Sequence, residues 1–164
     1  MTTTDSVLDI LIYVFDRYML DETPRVPQRE DLARDLERAG FARANVERAL
    51  DWLTELAFGQ ERVPPRPRAH AGGAAALRIF GECELARLSS ECRGLLLRLE
   101  RAGVVSPEQR ELVIERLMAL EPHEPDTEQL KWVVLMVLSS EPAGELALER
   151  LGALAAELRR HAPH

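Results

Sequence analysis

The residues best suited by type to covalent chemistry are Cys92, Arg93 and Gly94. A thiol near a helix start beside a guanidinium is a setting that lowers a cysteine pKa. A nucleophile also needs a base. None of His70, His123, His161 and His164 stands in a segment whose pattern reads as structured and apolar, so a Cys–His dyad lacks its second member. The competing reading packs the Cys92 thiol inside, with Gly94 letting another helix approach. Cys83 and Cys92 fit neither a Cys-x-x-Cys pair nor a zinc half-site, and buried reduced thiols are the expectation. The carboxylates Glu30 and Asp31, or Glu82 and Glu84, would suit acid–base or metal work, but charge this frequent on amphipathic helices is a solvated face. There is no Gly-rich phosphate loop, no His-x-x-x-His and no calcium-loop spacing, so no metal and no cofactor are expected. Trp52 and Trp132 read as buried aromatics whose indole N–H groups need acceptors.

The 164 residues suffice for one domain or two small helical units, and 46% hydrophobic with 30% charged residues excludes a disordered chain. Aromatic residues are only 5% of the chain, so the core must be aliphatic. The net charge of −7 works against a general nucleic-acid coat, because phosphate rewards clustered Lys and Arg. The segment Met1 to Asp5 has neither the basic residues nor the apolar run of a secretion signal, which with unpaired cysteines points to the cytoplasm.

Helical periodicity supplies the scaffold. Val7, Leu8, Leu11, Val14, Phe15, Tyr18 and Met19 predict a first amphipathic helix capped by Asp5 or Ser6. Pro27 suits the first position of a second helix, which carries Leu32 and Leu36 and is stopped by Gly40. A third starts near Arg43 with Val46, Leu50, Leu53 and Leu56 on one face. Prolines and glycines from Gly59 to Ala76 then predict a linker. Leu77 to Phe80 alternates and reads as extended, and a helical turn or two follows from Glu82 to Leu88. Another helix starts at Ser89 or Ser90 and closes at Gly103. Ser106-Pro107-Glu108-Gln109 has the elements of a capping box, and Asp126-Thr127-Glu128-Gln129 repeats them. The second box opens the run Leu130 to Leu138, which is apolar on nearly every face and far short of the roughly 18 to 20 residues that span a bilayer. It is expected at the centre of a bundle, with Lys131 turned outward or meeting a carboxylate. A last helix is predicted from about Gly144 to His161.

The fold class is therefore all-α with about seven helices. A three-helix unit (1–58), a Pro/Gly/Arg linker (59–76) and a C-terminal bundle (77–164) built around the buried helix near 127–140 form the expected plan. Leu36-Glu37-Arg38-Ala39-Gly40 recurs as Leu99-Glu100-Arg101-Ala102-Gly103, a weak hint of two similar halves.

Several ordered segments resemble the bacterial Smg family. They are Leu8 to Phe15, Ala39-Gly40-Phe41, Ala49 to Leu53, Leu77 to Phe80, Ser90 to Gly94, Arg110 to Arg116 and Leu130 to Leu138. The resemblance covers nearly the whole chain and departs in the proline-rich linker and the tail. It implies the helical fold and a cytoplasmic compartment, and it carries over no activity, cofactor or catalytic residue.

Gly40 and Phe41 with the following helix are also similar to the Met-Gly-Phe loop of ubiquitin-associated-type three-helix domains, which can bind proteins. The plainer reading makes Gly40 a helix-ending glycine with positive φ and Phe41 a core anchor. Helices two and three also mimic a helix-turn-helix over 30–56, but Arg43, Asn45 and Arg48 alternate there with Glu47 and Asp51, which repel phosphate. The expectation is a non-enzymatic interaction or adaptor protein contacting a protein partner through Gly40, Phe41, Arg43, Asn45 and Arg48. A nucleic-acid-linked regulator is the alternative and a cysteine-dependent enzyme the third reading. Trp52, Cys92, Arg93, Gly94 and Trp132 are assigned structural roles.

Overall fold

The computed structural model describes residues 6–19, 27–62, 79–120 and 125–139. Among them are seven α-helices and no strand: α1 (Val7–Val14), α2 (Arg29–Arg38), α3 (Arg43–Arg62), α4 (Glu82–Arg87), α5 (Ser90–Arg101), α6 (Pro107–Met118) and α7 (Thr127–Ser139). The fold is all-α. The predicted helix at 144–161, the linker beyond Arg62 and all four histidines lie outside the described residues.

The helix starts follow from local chemistry. Ser6 and Asp9 form a reciprocal capping box on α1, with the Asp9 N–H donating to Ser6 Oγ and the Ser6 N–H to Asp9 Oδ2, each at 3.1 Å. Ser106 and Gln109 do the same on α6 at 3.1 and 2.9 Å, with Pro107 at the first helical position. On α7 the Gln129 N–H donates to Asp126 Oδ1 at 2.8 Å and the Asp126 N–H to Gln129 Oε1 at 3.1 Å. Pro27 departs from its expected position. Gln28, with extended backbone, takes the cap and its carbonyl receives the first helical bond from Leu32, so α2 begins at Arg29. The first helix also changes pitch, passing from α1 into a π-helical turn over Phe15–Met19.

The repeated pentapeptide has a local explanation. In both copies the glycine has positive φ, +104° at Gly40 and +76° at Gly103. Gly40 N–H donates to the Glu37 carbonyl and Phe41 N–H to that of Leu36; Gly103 and Val104 bond Glu100 and Leu99 in the same pattern. Both are Schellman motifs, each with a fully buried leucine one turn back. Identical capping demands account for the string without any further likeness between the halves.

One apolar core runs through residues of α1, α2, α3, α5, α6 and α7. Helix α1 and α2 pack on α3, α3 on α6, α6 on α7, and α5 on both α6 and α7. Leu130, Val133, Val134, Met136, Val137 and Leu138 of α7 are buried, as an all-round apolar helix requires. Lys131 meets a carboxylate, its Nζ standing 2.8 Å from Glu128 Oε1.

The linker was expected to begin at Gly59, and here the structure differs. Helix α3 continues to Arg62, and Gly59 is buried within it. A Cβ at this position would stand too near Cδ1 of Leu112 on α6, so the Leu112 side chain would have to shift to admit one. In the next residue, Gln60 Nε2 donates to the Val137 carbonyl of α7. Gly94, assigned that close-approach role from sequence, is exposed in α5, and among the described residues nothing lies within 4 Å of its would-be Cβ. The correction has a simple cause: Gly94 falls on the solvent side of a helix whose buried stripe is Cys92, Leu95, Leu96 and Leu99.

Candidate interaction surface

Capping places the loop between α2 and α3. Phe41 is half-buried, and its ring meets Tyr13 of α1 edge-on at 5.3 Å between centroids. Beyond it, Arg43 and Arg48 are exposed and Asn45 is half-buried on α3. Helices α2 and α3 leave a groove of about 410 Å³ between them, into which Arg43 projects with Arg29, Arg34, Glu30, Glu37 and Glu47.

The arginines here face carboxylates. Arg34 Nη2 lies 3.1 Å from Asp31, Arg38 Nη1 4.0 Å from Asp35, and Arg43 Nε 3.9 Å from Glu37. Arg29 spans the two helices, its Nη2 2.7 Å from Asp51 and 3.2 Å from Glu47, and its Nη1 donating to Thr54 Oγ1. The hydrogen bond to Asp51, and then that to Glu47, raises its pKa above an already high ordinary value, so it stays charged. At the π-helical turn, Tyr18 OH donates to Asp35 Oδ2 at 3.1 Å, and burial, followed by this bond, raises the Tyr18 pKa. Arg17 stands 6.0 Å from the Tyr13 ring centroid and 5.9 Å from that of Tyr18.

The cysteine constellation is built for packing. Cys92 is 1% exposed, its N–H donates to the Ser89 cap, and its thiol donates to the Pro125 carbonyl at 3.4 Å. Arg93 turns back along the chain, bonding the Leu88 carbonyl at 3.2 Å and lying over the Phe80 ring. A nucleophile would need the thiol open to substrate, and this one is not. Cys83, expected to be buried, is instead exposed on α4, a short helix with no buried residue. Among the described residues, no three His, Cys, Asp or Glu side chains converge as a metal site.

Both tryptophans join N-terminal helices to C-terminal ones. Trp52 is buried and its Nε1 donates to the Arg116 carbonyl of α6 at 2.9 Å. Trp132, half-buried on α7, meets Phe15 edge-on at 6.2 Å. Sequence reasoning missed Arg116 itself. Its side chain is 4% exposed, donates to the Trp52 carbonyl at 3.4 Å, lies over the indole, and pairs with Glu55 at 2.7 Å and Glu115 at 3.3 Å. Arg110, also buried, makes a two-oxygen contact with Glu100 at 2.7 and 2.8 Å and pairs with Glu111. An arginine on a charged helix reads as solvated, and only the run Arg110 to Arg116 within the family resemblance marked this segment.

Comparison with known proteins places the scaffold in context. The family model described as Protein of unknown function (DUF494) matches residues 7–164. Smg homologs align over almost the full length. The Protein Smg homolog of Nitrosococcus oceani is 45% identical over 143 residues, 87% of this chain and 88% of that protein. The chain belongs to the Smg family. Another Smg homolog, from Halorhodospira halophila, is 40% identical over 97% of this chain and 98% of its own, and Protein Smg of Pectobacterium carotovorum is 44% identical over 93% and 96%. No solved structure matches. Among the described residues of this Smg-family chain, no helix is long and apolar enough to cross a membrane.

Proposed function

We propose that the chain is a non-enzymatic helical interaction or adaptor protein of the cytoplasm, engaging a protein partner through the α2–α3 face that carries Gly40, Phe41, Arg43, Asn45 and Arg48. The observation that carries this reading is the groove between α2 and α3, where Arg29, Arg34 and Arg43 alternate with Glu30, Glu37 and Glu47. A surface with both charges matches another protein surface, which also has both, better than it matches a polyanion. Phe41 adds an aromatic ring, half-open to solvent, of the kind that anchors interfaces.

The nucleic-acid alternative draws no support from the same arginines, since Arg34, Arg38 and Arg43 already face carboxylates in a chain of net charge −7. The cysteine-enzyme reading would need an open Cys92, and that thiol is buried.

Affinity capture with wild type and with Arg43→Glu/Arg48→Glu tests the proposal, circular dichroism verifying that both are folded. A partner held by wild type and released by the variant supports it. Retention of DNA or RNA at low salt, or turnover of a small molecule without any captured protein, overturns it.

A further inference from the structure

The first helix widens where an α-helical path would bury a phenol. Val7, Leu11 and Val14 lie on the buried stripe of α1, and Tyr18 follows Val14 by four residues and Leu11 by seven. At about 3.6 residues per turn, an unbroken α-helix would carry Tyr18 onto the middle of that stripe. The ring would suit an aliphatic core, but an unpaired hydroxyl inside it is costly. The π-helical turn over Phe15–Met19, whose bonds reach five residues back, rotates each residue less. Phe15 therefore stays buried while Tyr18 stops at the edge of the stripe, on the side of Tyr13. There its half-buried ring packs against the core and its OH donates to Asp35 Oδ2 of α2 at 3.1 Å.

Two side chains of the first helix thus grip the end of α2. Tyr18 holds Asp35 in the last turn, and Tyr13 meets the Phe41 ring in the loop that follows. Arg17 ties the two tyrosines together, standing over both rings and donating from Nη1 to Tyr13 OH at 3.3 Å. The Phe41 N–H bonds the carbonyl of Leu36, the residue next to Asp35, so the loop hangs from the turn that Tyr18 pins.

We propose that Tyr18 is a register lock: its hydroxyl sets the π-helical turn of Phe15–Met19, and its bond to Asp35 pins the last turn of α2 and thereby steadies Phe41. The lock governs how firmly Phe41 is held at the α2–α3 face. It acts in the free chain, whether or not that face takes a partner, so its failure and the failure of the interaction reading are distinguishable.

NMR of the free full-length chain tests both halves. Couplings across hydrogen bonds distinguish an N–H bonded five residues back from one bonded four back. Amide exchange at Phe41, measured against the core amide of Val133, reads local rather than global opening. In Tyr18→Phe the ring enters the core, the bonds of Phe15–Met19 reach four residues back, and Phe41 exchanges about threefold to tenfold faster, the worth of one hydrogen bond. Asp35→Ala keeps the π-helical pattern, because the phenol still avoids the core, and speeds Phe41 by the same factor. Asp35→Asn loses the charge that faces Arg38 at 4.0 Å but keeps an acceptor, and it exchanges as wild type does. Bonds that still reach five residues back in Tyr18→Phe overturn the proposal. So does unchanged Phe41 exchange in Tyr18→Phe or Asp35→Ala, or exchange in Asp35→Asn as fast as in Asp35→Ala.

Discussion

Trp52 and Arg116 grip each other's backbones. The indole N–H donates to the Arg116 carbonyl at 2.9 Å, and the Arg116 guanidinium donates to the Trp52 carbonyl at 3.4 Å. The pair is buried where α3 crosses α6, so each bond is made in surroundings where an unmade one is costly. Trp52→Phe keeps most of the ring and removes the donor, and it should destabilise the protein by about 1 to 3 kcal/mol. Arg116→Met removes the cation from the same contact. Urea unfolding of both single variants and the double variant should give a coupling energy of roughly 0.5 to 3 kcal/mol. Simple additivity would show that the two bonds act independently.

Glycine substitutions should separate the two helix faces. Gly94→Ala meets open space in the middle of α5 and should stabilise by about 0.5 to 1 kcal/mol through helix propensity. Gly59→Ala gains the same propensity but drives a methyl into Leu112, and overpacking of about 1 to 3 kcal/mol should leave it net destabilised. Thermal melts of the two variants, moving in opposite directions from wild type, are the measurement.

The capping box of α6 sits in the protein interior, with Ser106 buried and Gln109 fully so. Ser106→Ala should therefore cost about 1 to 2 kcal/mol, toward the upper end for a lost cap. Ser106→Thr, which keeps the hydroxyl, should recover most of it in the same denaturant titration.

Tyr18 supplies a pH dependence. Burial first, and then the hydrogen bond to Asp35, raises its pKa above the ordinary 10.0, so the folded state favours the protonated phenol. The contribution is fully present below about pH 10 and is lost as the pH rises through the folded-state pKa. Wild type should lose thermal stability relative to Tyr18→Phe above that point, and the tyrosinate absorbance of Tyr13→Phe should titrate late. Parallel melting curves for wild type and Tyr18→Phe across the alkaline range would contradict this.

The two cysteines should differ sharply toward a maleimide. Cys83 is exposed and should react quickly, whereas Cys92 should react only as the protein opens. Mass spectrometry should find a single adduct in the folded protein and a second in urea. Fast labelling of both would revive an open Cys92.

Sequence was most informative where one local rule decides the outcome. The caps at Ser106 and Asp126 and the positive φ of Gly40 depend on a few neighbouring residues, and each formed as its residues demand. The buried stripe of α7 was equally legible because apolarity on all sides leaves a helix only one environment. Features that depend on a partner helix were hidden. Nothing near Gly59 in the chain announces Leu112, so a glycine inside α3 read as the start of a linker. Arg110 and Arg116 drew no role from the sequence because the carboxylates and carbonyls that receive them lie on other turns and other helices. The groove between α2 and α3 was half-visible: Arg43 and Glu47 were noted on α3, but their facing charges on α2 were not assembled into a surface.

The placement of the two tryptophans gives the chain its own optical gauge. Trp52 reports on the junction of α3 with α6, beside the cation of Arg116, and Trp132 reports on the approach of α7 to Phe15. Since the chain holds only two tryptophans, a Trp52→Phe protein emits from one junction alone and a Trp132→Phe protein from the other. Fluorescence of the two single-tryptophan proteins can thus time the closing of each seam separately during refolding, without any attached dye.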